Sequence, residues 1–296
     1  MSWLRTFLSA VLMLAVSTAA MATEEDEREG GILGTGILGT ITALGSIYVN
    51  GQHIRFAPEF EVTDGVTVST AAQLLPGHTV AVVAAPDGAG WQASYIRQIT
   101  PLVGPVQSIS DGQFDVLGTT IQAEPKLIAG LGQGDMVAIS GLWQEGQVIA
   151  SRIDRVANDS PARIEGSVFD VTPGQPLTIG GTEITGLWPT HIQDGHVVRV
   201  VGSANETGIQ VQSLETGVFA ATPQVILSEG YFSVPTVSGL YTLLGSDLLS
   251  YTDQPGMIDP VVRQLVCSRD GQMYPVQIDD STLPSDMSAC FAPPTQ

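Results

Sequence analysis

The sequence predicts an all-β protein: three tandem small five-stranded barrels, then a short disulfide-stapled C-terminal region. Three observations carry this. One order of hairpin, glycine turn and alternating strand recurs three times along the chain. With 33 glycines and 18 prolines the chain is too rich in breakers for long helices, and with 43% hydrophobic residues it is too apolar for disorder. Each repeat taken alone would leave strand edges exposed, which closure into a small barrel removes.

The elements follow in chain order. Arg5 precedes the apolar run "FLSAVLMLAV" and the small residues "STAAMA", the pattern of a secretory signal peptide over 1–22 cleaved after Ala22. The run is shorter than the roughly 20 residues of a spanning helix. No later stretch is apolar enough to span a bilayer, so the mature chain is expected to be periplasmic or secreted. An acidic, disordered lead-in is expected over 23–36. Its end contains "GTGILG", a G-x-G-x-x-G match, but the preceding "EEDEREG" cannot be a buried strand and the following "TITALGSIYVNG" turns like a hairpin. A dinucleotide needs a strand before the glycines and a helix after them. Glu59 and Glu61, placed where a ribose-binding acid would stand, are therefore coincidental, and "GILGT" twice over reads as a flexible apolar lead-in.

The three units are 37–101, 102–158 and 161–217. Their first strands begin "GTITAL", "GPVQSI" and "GSVFDV", and the hairpin turns that follow carry Gly51, Gly118 and Gly181, each succeeded by an aliphatic at Ile54, Ile121 or Ile184. Next come "LLPGHTVAV", "LGQGDMVAI" and "IQDGHVVRV", with turn glycines Gly77, Gly134 and Gly195 spaced 57 and 61 residues apart. Val80 and Val82, Val137 and Ile139, and Val198 and Val200 should face inward. In the closing strands "WQASYI", "VIASRI" and "IQVQSL" the apolar step from Ala93 to Ile96, Ala150 to Ile153 and Val211 to Leu214 is three instead of two, which implies a bulge in each. Trp91 then reads as core filler.

Short strand, V-x-G hairpin, L-x-x-G-D-x-V and closing A-x-x-I together resemble the bacterial secreted domain-of-unknown-function family 5666, whose members often occur in tandem. The resemblance covers about residues 37–216 and is best in the second unit, "LGQGDMVAISG" and "VIASRI". In the other units His78 and His196 replace the aspartate, and in the first Ala84 replaces the glycine of Gly141 and Gly202. It implies small OB-like barrels and export, and no established activity.

The region 218–296 breaks the repeat and is expected to cap the array. Its aromatic cluster, Tyr231, Phe232, Tyr241 and Tyr251, is either a small core or a groove for a ligand or partner. Cys267 and Cys290, the only cysteines, lie 23 positions apart and should pair in an oxidising compartment. Each barrel is expected to keep its own core.

Chemistry is thin in this sequence. Cleavage after Ala22 leaves ten cations, one of them Lys126, against 30 acids, a net charge of −20 that repels nucleic-acid backbones and anionic membranes. Lys126 follows Pro125 without a phosphate loop, and G-x-S-x-G, H-E-x-x-H and EF-hand patterns are absent. His53, His78, His191 and His196 remain. His78 and His196 hold the turn position of Asp135 and read as polar turn residues; His191 and His196 lack a marked third metal ligand. No catalytic, cofactor or metal residue is assigned. The reading is a non-enzymatic envelope module that binds a protein or small ligand; the alternatives are an exported hydrolase of cell-wall or glycan material, and cation binding by the acidic surface.

Overall fold

The computed structural model describes residues 34–276, apart from Ala89, Thr190 and Thr222, together with Cys290. The expected signal peptide, its cleavage site and most of the lead-in lie outside the described residues. Strand dominates, as the breaker-rich composition requires, and helix is confined to single turns such as α1 (Pro125–Ile128).

The first unit contains β1 (Thr35–Leu44), β2 (Ile47–Val49), β3 (Gln52–Arg55), β4 (Thr79–Asp87) and β5 (Gly90–Ile99). They pair in the circuit β1–β2–β3–β5–β4–β1, in which β3–β5 alone is parallel, so the barrel is closed. The second unit repeats this circuit with β6 (Leu102–Ser110), β7 (Gln113–Val116), β8 (Thr119–Gln122), β9 (Met136–Gln144) and β10 (Gln147–Arg155). In both, the first strand serves two neighbours. Its first half pairs with the fourth strand; a bulge at Thr42 or Gln107 then turns its second half onto the second strand.

The third unit has the same five strands, β11 (Ala162–Ser167), β12 (Leu177–Ile179), β13 (Thr182–Thr185), β14 (Val197–Ala204) and β15 (Gly208–Thr216), but its ladders leave the β11–β12 seam open. β11 stops where β1 and β6 bend. The connection that replaces its second half carries Pro173 and Pro176, which cannot donate to a ladder.

The repeated marks have repeated causes. Gly77, Gly134 and Gly195 have φ of +92°, +89° and +85°, the left-handed region. Each donates its N–H to the first strand or its continuation, at Ile41, Val106 and Val168, and each of those residues donates back to the residue after the glycine. The three bulges fall at Ser94, Ser151 and Gln212, inside the expected three-residue steps. The inward valines and isoleucines of β4, β9 and β14 are fully buried, and Trp91 is buried with them.

Three expectations need correction. β1 begins at Thr35, so the second "GILGT" is not lead-in but a central strand. Its glycines serve close approach: a Cβ on Gly36 would stand 2.9 Å from Phe219, and one on Gly39 would stand 2.3 Å from Asn50. Second, the C-terminal region is more than a cap on the third unit. β16 (Val225–Gly230) runs parallel beside β1, and β19 (Gln264–Arg269) and β20 (Gln272–Pro275) extend the same sheet to eight strands. The hairpin β17 (Leu240–Leu243) and β18 (Leu248–Tyr251) does reach the third unit, where Val197 N–H donates to Asp247 Oδ1 at 2.9 Å. Third, the barrels do not keep separate cores. β11 pairs with β6, and one buried cluster runs from Leu102 through Trp143 to Ile209; the first unit's cluster includes Leu227, Leu265, Cys267 and Cys290. The Cys267–Cys290 disulfide is formed, with Cα atoms 5.5 Å apart.

The second and third hairpin turns also touch. Gly181 faces the Gly118 carbonyl so closely that a Cβ would stand 2.0 Å from it, and the hydroxyls of Thr119 and Thr182 meet at 2.8 Å.

Candidate functional site

The four aromatic residues of the tail do not form one patch. Phe232 is buried and meets Tyr241 edge-on, ring centroids 5.3 Å apart, within a cluster that includes Leu243, Leu248 and Val266. Tyr231 is half-buried, and Tyr251 stands 70% exposed on β18. The core reading holds for Phe232 and Tyr241; a groove lined by all four does not.

A cleft lies beside this cluster instead. The chain leaving β15 turns at Gly217, φ +83°, and runs along the sheet before entering β16, while the β17–β18 turn folds over it. The space between them measures about 300 Å3, with walls of Val218, Phe219, Pro223, Ile226, Leu248 and Leu249. Gln224, Ser246, Asp247 and Ser268 supply its polar lining. Ser246 is committed to the turn, donating to Leu243 O at 2.7 Å. Asp247 is exposed at the rim and holds the Val197 N–H with one oxygen. An apolar volume with a few polar groups at the rim suits a small ligand with an apolar body.

The structure also assembles a charged junction that sequence reasoning missed. Arg97 of β5 donates through Nε to Asp64 Oδ2 at 2.9 Å, through Nη2 to Glu165 Oε1 at 2.5 Å, and through Nη1 to the carbonyls of Val218 and Gly217 at 2.7 and 3.2 Å. Arg199 bonds Asp64 and Glu215, and Arg163 donates to the Asp64 carbonyl at 2.9 Å. Burial pushes the Glu165 carboxyl above its ordinary range against the pull of Arg97, Arg199 and Arg163, and burial lowers Arg163 against Asp64 and Glu165. The available signal was a lone charge on the outward face of an otherwise apolar strand, as in "HVVRV".

The histidines divide by contact. Leu75 N–H donates to His78 Nδ1 at 3.1 Å, so the proton sits on Nε2, which donates to Asp154 Oδ2 at 3.1 Å. Burial would raise Asp154, but the bonds from His78 and Arg152 outweigh it and hold the carboxyl below its ordinary range. Both ring nitrogens being engaged, this buried imidazole has none left to serve as base to a nucleophile. His78 is thus a turn residue that also ties the first unit to the second. His53 stacks on Tyr48, centroids 4.7 Å apart; His191 is exposed and His196 half-buried. Among the described residues, no group of three His, Cys, Asp or Glu stands close enough to hold a metal ion.

Residues 103–154 match the family model of DUF5666, a domain of unknown function. The DUF5666 segment coincides, within a residue at each end, with the strands β6 to β10, so here that domain is a closed five-stranded barrel. The match covers one of the three units, the one that keeps Asp135 after the turn glycine. No curated protein and no solved structure matches the chain.

Proposed function

We propose that this chain is an exported, non-enzymatic envelope module that binds a small, predominantly apolar ligand in the cleft between the third unit and the tail. The observation that carries the reading is the cleft itself: about 300 Å3, apolar-walled, with Asp247 at its rim. Its size is at the lower end of the range for small-molecule sites. The chain's net charge of −19 favours a neutral or cationic ligand over an anionic one. The leader-like residues 1–22 and the disulfide support export.

The hydrolase reading is the weaker one. It needs a free base or a pair of carboxylates converging in an open cleft, whereas His78 is buried and doubly bonded, and the buried Glu165 and Glu229 each hold a guanidinium.

The test uses the uncharged fluorophore N-phenyl-1-naphthylamine. Saturable binding by the full mature chain is expected, weakened at least about tenfold, or about 1.4 kcal/mol, by Ala221→Trp, which fills the cleft from an exposed position. No saturable binding, or equal binding by the variant, would overturn the cleft as the site. Export has its own check: secreted protein should begin at Thr23, and recovery of uncleaved chain in the membrane fraction contradicts it.

A further inference from the structure

All three units and the tail meet around one small cavity. Leu38 and Thr79 come to it from the first unit, Trp143 from the second, Glu165 from the third, and Glu229 and Leu244 from the tail. The space is about 20 Å3. A water molecule needs roughly 10–15 Å3 measured this way, so there is room for one and for little else.

Glu165 is what makes this space chemically demanding. Its side chain is 2% exposed; Oε1 takes the Arg97 Nη2 donor at 2.5 Å, and Oε2 is buried without a hydrogen-bond partner among the described residues. An ionised acceptor left so keeps its full desolvation cost. Glu165 lines the cavity, so a donor placed there stands beside this carboxyl. Thr79 offers a second polar contact, because its hydroxyl bonds the Gly141 carbonyl only at 3.4 Å.

The charge balance selects the occupant. Each carboxylate at the cavity already has a guanidinium, Arg97 on Glu165 and Arg263 on Glu229, so a metal cation would add uncompensated positive charge. Two acids without a third ligand beside them also make a poor metal set. A neutral molecule that both donates and accepts fits without that penalty. We infer that the cavity binds a single water molecule that donates to Glu165 Oε2 and so completes the junction of the three units and the tail. Water held between four parts of the chain is expected to exchange more slowly than surface water.

A high-resolution crystal structure of the full mature chain and oxygen-17 magnetic relaxation dispersion in solution test this together. The expected result is a solvent peak within about 3.2 Å of Glu165 Oε2 and a slow-exchanging water that is lost in Leu244→Phe, which fills the cavity from a half-buried wall. An empty cavity overturns the inference. So does an ion with several ligands at about 2.0–2.6 Å. Should Leu244→Phe not fold, the native crystal structure decides alone.

Discussion

Replacing Arg97 with methionine should unfold the protein several degrees earlier, and the size of the effect follows from what the guanidinium leaves behind. Asp64 would keep Arg199 and, on its carbonyl, Arg163. Glu165 would lose its ion pair: the carboxylate is buried, and among the described residues Arg97 is the one guanidinium paired with it. Stranding one member of a buried pair costs about 3–5 kcal/mol. The lost bonds to Gly217 and Val218 add to this, though not additively in a connected network. In a chain of this size that corresponds to roughly 6–15 °C in Tm.

The assay is urea unfolding of Arg97→Met, Glu165→Gln and the double variant, with thermal melts alongside. If the stranded carboxylate is the cause, the double variant should recover most of the loss, because neither buried charge then remains. The pH dependence supplies a second check. In Arg97→Met the folded-state pKa of Glu165 lies above its unfolded value, so that carboxyl supports the fold below about pH 4.3 and its contribution is lost as pH rises through the folded value. The deficit should therefore shrink on acidification. A single-variant loss under about 1 kcal/mol, or a double variant no better than the single, would refute the reasoning and assign the cost to packing of the arginine stem.

Three further outcomes are expected. Replacing both cysteines with serine should cost about 3 kcal/mol in the chain-entropy model for a separation of 23 residues. Because Cys267 lies in the sheet that contains β1, amide exchange should quicken in β16 and β1 as well as in the tail; two free thiols in the native protein would contradict the bridge. Gly181→Ala must push its Cβ off the Gly118 carbonyl and should cost about 1–3 kcal/mol by overpacking, whereas Gly112→Ala, at φ +77° with open space around it, should cost about 1 kcal/mol of backbone strain; equal melting of the two denies the close contact. Asp154, held low by His78 and Arg152, supports the fold above the unfolded carboxylate value of about 3.9 and loses that contribution as pH falls below it. The stability gap between native protein and Asp154→Asn should close there, and a gap independent of pH would contradict the assignment.

The repeat was legible because its marks are local. A left-handed turn at Gly77, Gly134 and Gly195 admits few residues, and a three-residue apolar step in a strand has one simple geometric meaning, realised at Ser94, Ser151 and Gln212. The third hairpin turns at Gly180–Gly181; there Gly180, φ +57°, takes the left-handed conformation that Asn50 and Leu117 have in the other two, and Gly181 is the glycine on which Gly118 of another unit presses. The tail's return to β1 was not legible. Alternation in "VILSEG" identifies a strand and is silent about its partner some 190 positions away. The junction was hidden for the same reason, since Arg97 meets Glu165 across 68 positions and Arg199 meets Asp64 across 135. The cleft has no sequence mark at all, because it exists only once the tail hairpin lies over the link from the third unit.

One position shows how equivalent units came to depend on one another. After the turn glycine, the second unit has Asp135, which accepts its own Gly132 N–H at 2.8 Å and pairs with Arg155, a bond within the unit. The first unit has His78 there, and the same outward position now bonds Asp154 of its neighbour. In an array whose units touch only in sequence, stability is roughly a sum over units and adjacent interfaces. Here β16 returns to β1, Arg97 spans the first and third units and the link to the tail, and the second and third units bury one common core. No unit can leave without exposing apolar surface or an unpaired charge on another, so the contacts that hold the barrels together also hold the walls of the cleft in place.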